Sequence, residues 1–154
     1  MSDFGFYSGK DFLEKKFESK EYLIDQILFQ KDCITLAGKA KTGKSVLLFQ
    51  LICALTSGKP FLSEFAVKKK CRVLYIQLEG SLGDSQNRFL RMLQQLSFER
   101  ENFFILFSPP LALNQTSSML KVMDEIQTSM KEIDVLIIDP IYFAMAGSLS
   151  DDEQ

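Results

Sequence analysis

Short apolar runs recur at four places in the chain, residues 33–37, 73–78, 103–107 and 135–139. Each run is followed within three residues by Gly or Pro, which end regular structure. Parallel strands that are covered on both faces show little alternation of polar and apolar residues. We therefore predict four β-strands at these positions.

Hydrophobic residues between these runs follow a helical period. Residues 44–57 are apolar on nearly every side, which predicts a buried helix. A second helix is expected to be capped by Asp84 or Ser85, and a third carries a stripe of apolar residues over 119–133. Residues 22–29 also have helical spacing. Strands that alternate with helices predict an α/β fold with a mostly parallel sheet and helices on both faces.

The length of 154 residues fits one core, and we divide the chain into an arm, residues 1–20, and a core, residues 21–154. The arm has no clear period but holds four phenylalanines, too many for a solvated tail. We expect it to pack on the core or on a neighbouring molecule.

Composition removes several classes of function. The chain has no histidine, which excludes a histidine triad and the common zinc sites, and a net charge of −2 gives no general attraction to phosphate backbones. Three cysteines in apolar stretches fit reduced core thiols. The amino terminus lacks the pattern of a secretory signal, and the apolar runs are too short to span a membrane. We expect a cytoplasmic protein without a membrane partner.

Residues 38–45, GKAKTGKS, match the phosphate-binding pattern G-x-x-x-x-G-K-[ST]. The match lies between a predicted strand and a predicted helix, so backbone amides and the helix amino terminus can surround a triphosphate. Lys44 would contact the β and γ phosphates, and the Ser45 hydroxyl would bind Mg²⁺. The residues predicted to bind nucleotide are Gly38, Lys39, Ala40, Lys41, Thr42, Gly43, Lys44, Ser45 and Val46.

Two acidic residues lie at or just after the carboxyl ends of predicted strands. Asp139 ends the strand at 135–139, from where its carboxylate can hold Mg²⁺ beside the phosphate-binding loop. Glu79 follows the strand at 73–78 and can act as the base or water-positioning group of nucleotide hydrolysis. Either residue could also be a solvated strand end, and the P-loop upstream favours the functional interpretation of both.

The runs AGKAKTGKSVLLFQLICALTSGKPFL, VLYIQLEGS and VLIIDPIYFAMAG together resemble the RecA-like P-loop ATPases. The similarity covers residues 22–154 and is closest to the branch that contains the plasmid hexameric replicative helicase RepA. It implies ATP at residues 38–45, Glu79 as the catalytic glutamate and Asp139 as the Walker B aspartate. It also implies a ring or filament of identical subunits, a neighbour's arginine finger to which no residue can be assigned, and a role in DNA replication.

In RecA-like ATPases, sequence after the Walker B strand supplies the strand between it and the P-loop strand. Only fifteen residues follow Asp139. We therefore expect the strands at 33–37 and 135–139 to face each other across a gap. A sheet with such a gap is either incomplete at the carboxyl terminus or completed by a partner.

Three alternatives stay open. Lys39 lies where ParA/MinD-type partition switches carry a signature lysine, although Ala40 and Lys41 replace their glycines. A non-hydrolysing nucleotide-binding regulatory module is the second. The third is that a basic cluster contacts DNA phosphates, although a solvated loop is the simpler interpretation of this cluster. Its residues are Lys59, Lys68, Lys69, Lys70 and Arg72.

Overall fold

The computed structural model describes residues 6–17, 20–130 and 132–145, so the predicted core after Met145 lies outside the described residues. A short 3₁₀ turn at Arg100–Asn102 precedes the fourth strand. The elements are α1 (Gly9–Glu14), β1 (Tyr22–Ile24), β2 (Leu28–Phe29), α2 (Lys44–Ser57), β3 (Val73–Gln77), α3 (Leu82–Met92), β4 (Phe103–Phe107), α4 (Thr116–Ser129), β5 (Val135–Asp139) and α5 (Ile141–Ala144).

Three of the four predicted strands form one parallel sheet in the order β4-β3-β5. The strands pair without a shift, so Gln77 lies opposite Phe107 on one side and Asp139 on the other. All five residues of β3 are buried because it is the central strand. The carboxyl ends of β3 and β5 therefore meet at one edge of the sheet.

Helices cover both faces of the sheet, as predicted. Side chains of β3 alternate between the faces, and Val73 and Tyr75 pack with Phe49 of α2 in one cluster. Leu74 and Ile76 pack with Val122 of α4 in a second cluster. The α/β class is confirmed, and the arrangement is that of a P-loop NTPase fold.

Helix α2 has the bounds that the sequence predicts. It begins after Gly43 and ends at Gly58, both in the left-handed conformation with φ of 88° and 73°. Within its buried half, the hydroxyl groups of Thr56 and Ser57 donate to backbone oxygens one turn earlier. The helix can therefore bury polar residues without leaving their hydroxyl groups unpaired.

The helix predicted over residues 22–29 is wrong, because β1 and β2 form an antiparallel hairpin there. Gln26 takes a φ of 60° in the turn, which a helix cannot accommodate. Backbone hydrogen bonds tie the hairpin to the loop at 66–68, with the Asp25 amide donating to the Ala66 oxygen at 2.9 Å. Tertiary pairing overrides the helical spacing of the apolar residues.

The strand predicted at 33–37 is also wrong, since this segment has no regular structure. Ile34 and Leu36 are about half exposed, at 52% and 48%. Within the described residues β5 pairs with β3 alone, so residues 33–37 have no ladder partner. Without a neighbouring strand, the backbone N–H and C=O groups of such a segment bond to water. Strand geometry then brings no additional hydrogen bonds that would stabilise it.

Smaller corrections concern two helices and one cysteine. Helix α3 is capped by Ser81, three or four residues before the predicted cap, because the Ser81 side chain accepts the hydrogen bond from the Asp84 amide. In α4, Met123 is half exposed, so the stripe of apolar residues over 119–133 is only partly core. Cys33 is exposed, against the prediction of three core thiols, because its segment is not a strand.

The other two cysteines are buried and free, and burial raises the pKa of Cys53 and of Cys71 to about 11. Both thiols are therefore protonated and unreactive at neutral pH.

Residues 6–17 of the arm contact one another, and Lys20 of the arm lies 3.4 Å from Asp32 of the core. Helix α1 has no buried residue, and the rings of Tyr7 and Phe12 each lie 5.5 Å from that of Phe17. Nothing in residues 6–17, 20–130 and 132–145 forms a helix of the length and apolar character that crosses a bilayer.

Candidate functional site

Residues 38–43 form a tight loop that leads into α2. Lys41 and Gly43 have positive φ angles of 62° and 88°, and the Thr42 hydroxyl donates to the Lys39 oxygen at 2.8 Å. A Cβ atom at Gly38 would lie 3.2 Å from Thr42 Oγ1, so the loop leaves little room for a side chain there. This is the local geometry that a P-loop requires at its glycines.

The amino terminus of α2 has no side-chain cap, because the residue before it is Gly43. Its first amide groups are thus left for an external acceptor, and the helix dipole favours an anion at this point. With 14 residues, α2 is long enough for this effect to be substantial. The combination of loop and helix is suited to a phosphate group.

Lys44 contacts the loop itself. Its ammonium group donates to the backbone oxygens of Gly38 and Lys39 at 2.8 and 2.7 Å. The positive charge thus lies within the curve of the loop. A phosphate that binds there has to replace these carbonyl oxygens as the acceptor for Lys44.

A cavity of about 240 Å³ lies between the start of α2 and the carboxyl ends of β3 and β5. It brings together Ser45, Glu79 and Asp139, three residues that the sequence assigns to one site. The remaining predicted binding residues, 38–44 and Val46, are outside its lining. The side chains of Phe49, Tyr75, Gln77, Ser81, Asp84 and Arg88 complete the cavity wall together with Gly80 and Pro140.

Asp139 is held by a tyrosine of the neighbouring strand. The hydroxyl group of Tyr75 donates to Asp139 Oδ2 at 2.8 Å. Tyr75 is 2% exposed, and its ring meets that of Phe49 edge to face at 5.9 Å. Burial, together with the adjacent Asp139 charge, raises the pKa of Tyr75 far above its usual value, so the hydroxyl remains a donor.

Glu79 has contacts on two sides. The hydroxyl group of Tyr142 in α5 donates to Glu79 Oε2 at 3.2 Å, and the Gln77 amide donates to the Glu79 backbone oxygen at 2.7 Å. Pro140 follows Asp139 and precedes α5, so Tyr142 lies close in sequence to the end of β5. Desolvation and the charges of Glu79 and Asp139 raise the pKa of Tyr142.

The oxygen donors in the cavity suit Mg²⁺. Ser45 and Asp139 offer a hydroxyl and a carboxylate, the ligand types that this hard cation prefers. The described residues contain no group of three or more acidic, cysteine or histidine side chains arranged to hold a metal. Few protein ligands are expected where Mg²⁺ binds mainly through phosphate oxygens and water.

A larger cavity of about 400 Å³ opens beside the end of β4. Lys121 is the one charged residue of its lining, and none of the predicted site residues belongs to it. The acidic and hydroxyl groups that nucleotide chemistry needs line the smaller cavity.

Sequence reasoning missed Tyr75, Gln77, Arg88 and Tyr142. A signal for the first two was present, because Tyr75 and Gln77 are polar residues two positions apart and therefore share one face of the strand. Because the strand at 73–78 was interpreted as apolar throughout, the alternation of its polar residues was overlooked. No sequence pattern marked Tyr142 as a site residue, because its contact with Glu79 depends on tertiary structure.

The basic cluster is largely neutralised by ion pairs. Lys68 lies 3.0 Å from Asp25 and Lys69 lies 2.7 Å from Asp134, while Lys70 pairs with Glu99. These contacts favour the solvated-loop interpretation over a free phosphate-binding surface.

The parallel sheet, the loop at 38–45 and the helix that follows define the class of P-loop nucleotide-binding domains. A family model of the AAA domain matches residues 8–154, so the chain belongs to the AAA domain family, a class of nucleotide-binding ATPases. Neither the curated proteins nor the solved structures include one that matches the chain.

Proposed function

We propose that the chain binds ATP at residues 38–46 and hydrolyses it in a reaction that requires Mg²⁺. The observation that carries this proposal is the shared cavity of Ser45, Glu79 and Asp139 at the start of α2. A hydroxyl, a base and a metal-binding carboxylate are the groups that P-loop hydrolysis uses.

Each residue has a separate role in this proposal. Ser45 and Asp139 would hold Mg²⁺, which would supply positive charge beside the phosphates. Lys44 leaves the oxygens of Gly38 and Lys39 and contacts the phosphates. Glu79 orients a water molecule towards the γ phosphorus and accepts its proton on the oxygen that Tyr142 does not occupy.

Binding and turnover of ATP by the wild-type chain, with and without Mg²⁺, test the proposal. Lys44→Ala is expected to lose ATP binding, with Lys59→Ala, another lysine beside α2, as its control. Glu79→Gln is expected to bind ATP normally and to lose turnover by a factor of about 100 or more, with the exposed Glu64→Gln as control. Asp139→Asn is expected to weaken the Mg²⁺ dependence, with the exposed Asp124→Asn as control.

These measurements also distinguish an ATPase from a non-hydrolysing module. ATP binding without turnover in the wild-type chain would favour a non-hydrolysing regulatory module. Equal turnover in the wild type and Glu79→Gln would remove Glu79 from its proposed role. A wild-type chain that binds no ATP with Mg²⁺ would contradict the proposal as a whole.

We further propose that the chain belongs to the RepA-like branch and works in the cytoplasm as a homo-oligomer in DNA replication. The support is the sequence similarity over residues 22–154. Light scattering with and without Mg·ATP tests the ring or filament, and a strand-displacement assay tests the helicase activity. If Lys59→Glu combined with Arg72→Glu leaves DNA affinity unchanged, the basic cluster has no part in DNA binding.

A further inference from the structure

Gln77 is a polar residue in the middle of a buried strand. It is 4% exposed and lies on the central β3, between Phe107 of β4 and Asp139 of β5. Its side chain shares a face with Tyr75, the face covered by α2. A glutamine at such a position costs folding free energy unless both ends of its amide are hydrogen-bonded.

Only one end of this amide has a partner. The Nε2 group donates to the backbone oxygen of Glu79 at 2.7 Å. Oε1 is shielded from solvent and has no hydrogen-bond partner among the described residues. The opposite orientation of the amide would place two carbonyl oxygens together, so the acceptor end is fixed by the contact with Glu79.

The surroundings of Gln77 indicate what could satisfy Oε1. The residue lines the cavity that also contains Ser45 and Asp139, at the start of α2. Phosphate oxygens cannot serve, because they accept hydrogen bonds and do not donate them at neutral pH. Water bound to a divalent cation is a strong donor, and Mg²⁺ keeps several of its waters in proteins.

We propose that Gln77 is a positioning residue that accepts a hydrogen bond from a metal-bound water through Oε1 while its Nε2 group holds the backbone of Glu79. The amide then links occupation of the metal site to the position of the turn that carries Glu79. Gly80, which follows with a φ of 85°, keeps this turn tight beside the Gln77 side chain. This inference rests on the proposed function of the site.

Gln77→Met tests the inference, because methionine keeps the size and removes both ends of the amide. In nucleotide-free buffer we expect a melting temperature no lower than that of the wild type, since Glu79 is exposed and water can replace Nε2 at its backbone oxygen. Affinity for a non-hydrolysable ATP analogue with Mg²⁺ is expected to fall about tenfold, and affinity in EDTA to stay unchanged. Gln127→Met, on the exposed face of α4, is the matched control.

A second measurement uses the wild-type chain alone. The side-chain amide resonance of Gln77, assigned through its backbone in a ¹⁵N- and ¹³C-labelled sample, is expected to shift with the magnesium-loaded analogue and not with the analogue in EDTA. This readout reports the hydrogen bond at Oε1 even if Gln77→Met does not fold.

The outcomes separate the two proposals. Suppose that the wild-type chain binds the magnesium-loaded analogue. An unchanged affinity in Gln77→Met, or a Gln77 resonance that does not move, then overturns the role of Gln77 and leaves the proposed function intact. An equal loss of affinity with and without Mg²⁺ also overturns this role, because the donor would not come with the metal. A wild-type chain that binds no nucleotide overturns both proposals.

Discussion

The hydroxyl group of Tyr75 lies 2.8 Å from Asp139 Oδ2 and donates a hydrogen bond to it. The bond joins the middle of the central strand to the carboxyl end of β5. Tyr75 is buried on the α2 side of the sheet, so its hydroxyl has a fixed position. The carboxylate proposed to hold Mg²⁺ is therefore oriented by a rigid neighbour.

Tyr75→Phe is expected to raise the Mg²⁺ concentration for half-maximal turnover several-fold, because Asp139 loses the group that orients it. The free energy of unfolding should fall by about 1 kcal/mol from the lost hydrogen bond. Titration of turnover with Mg²⁺ at saturating ATP is the measurement. Tyr22→Phe, on a tyrosine stacked on Phe29, is the control, and equal Mg²⁺ curves in the two variants would contradict the prediction.

Tyr142→Phe is expected to lower kcat by about tenfold while the affinity for ATP stays unchanged, because Glu79 loses the contact that holds its carboxylate. Tyr142 is 51% exposed, so the stability of the chain should hardly change. Steady-state kinetics and a melting curve check both parts. The prediction fails if kcat stays at the level of the Tyr7→Phe control.

The pair of Asp134 and Lys69 is expected to make stability depend on pH. Partial burial raises the pKa of Asp134, but the hydrogen bonds from Lys69 and the Arg72 amide and the positive charge of Lys69 hold it below its usual value overall. A lowered folded-state pKa adds stability above about pH 4, and this is lost as the pH falls through the folded-state pKa.

Asp134→Asn should therefore melt about 2 °C below the wild type at pH 7, and the difference should shrink as the pH falls below 4 and also shrink in high salt. Melting curves across this range, with Asp124→Asn as the control, are the measurement. A difference that persists unchanged at pH 3 would assign the effect to packing instead.

Gly58→Ala is expected to destabilise the chain by about 1 to 2 kcal/mol, because position 58 has a φ of 73°. A Cβ atom there would lie 2.9 Å from Lys70 Cγ and would also displace the ion pair with Glu99. Gly83→Ala is the matched control. Position 83 lies inside α3 with nothing within 4 Å of a Cβ atom, so alanine should be neutral or stabilising there. Chemical denaturation of both variants decides the comparison.

Local sequence was sufficient to predict the elements whose formation depends on residues nearby in the chain. The loop at 38–45 and α2 are defined by glycines at both helix ends, and the strands ending in Gln77 and Asp139 by apolar runs followed by turn residues. Ser45, Glu79 and Asp139 could be assigned to one site because parallel strands end at the same edge of a sheet.

Elements that depend on distant partners were not predicted correctly. Residues 22–29 have helical spacing, but pairing with the loop at 66–68 makes them a hairpin. Residues 33–37 have the composition of a strand and no ladder partner among the described residues. The contacts of Tyr75 and Tyr142 with acidic residues span more than sixty positions of sequence, so only the fold reveals them.

The contact of Lys44 with the oxygens of Gly38 and Lys39 has a consequence for selectivity. The loop itself provides two hydrogen-bond acceptors for the ammonium group, so an incoming anion has to compete with two carbonyl oxygens. A single sulfate or phosphate ion would gain few hydrogen bonds beyond the two that it replaces. In the proposed function a triphosphate would also engage the amides of α2 and the hydroxyl of Ser45, and could therefore displace both carbonyl oxygens from Lys44. The contact of Lys44 with its own loop would then favour polyphosphates over simple anions.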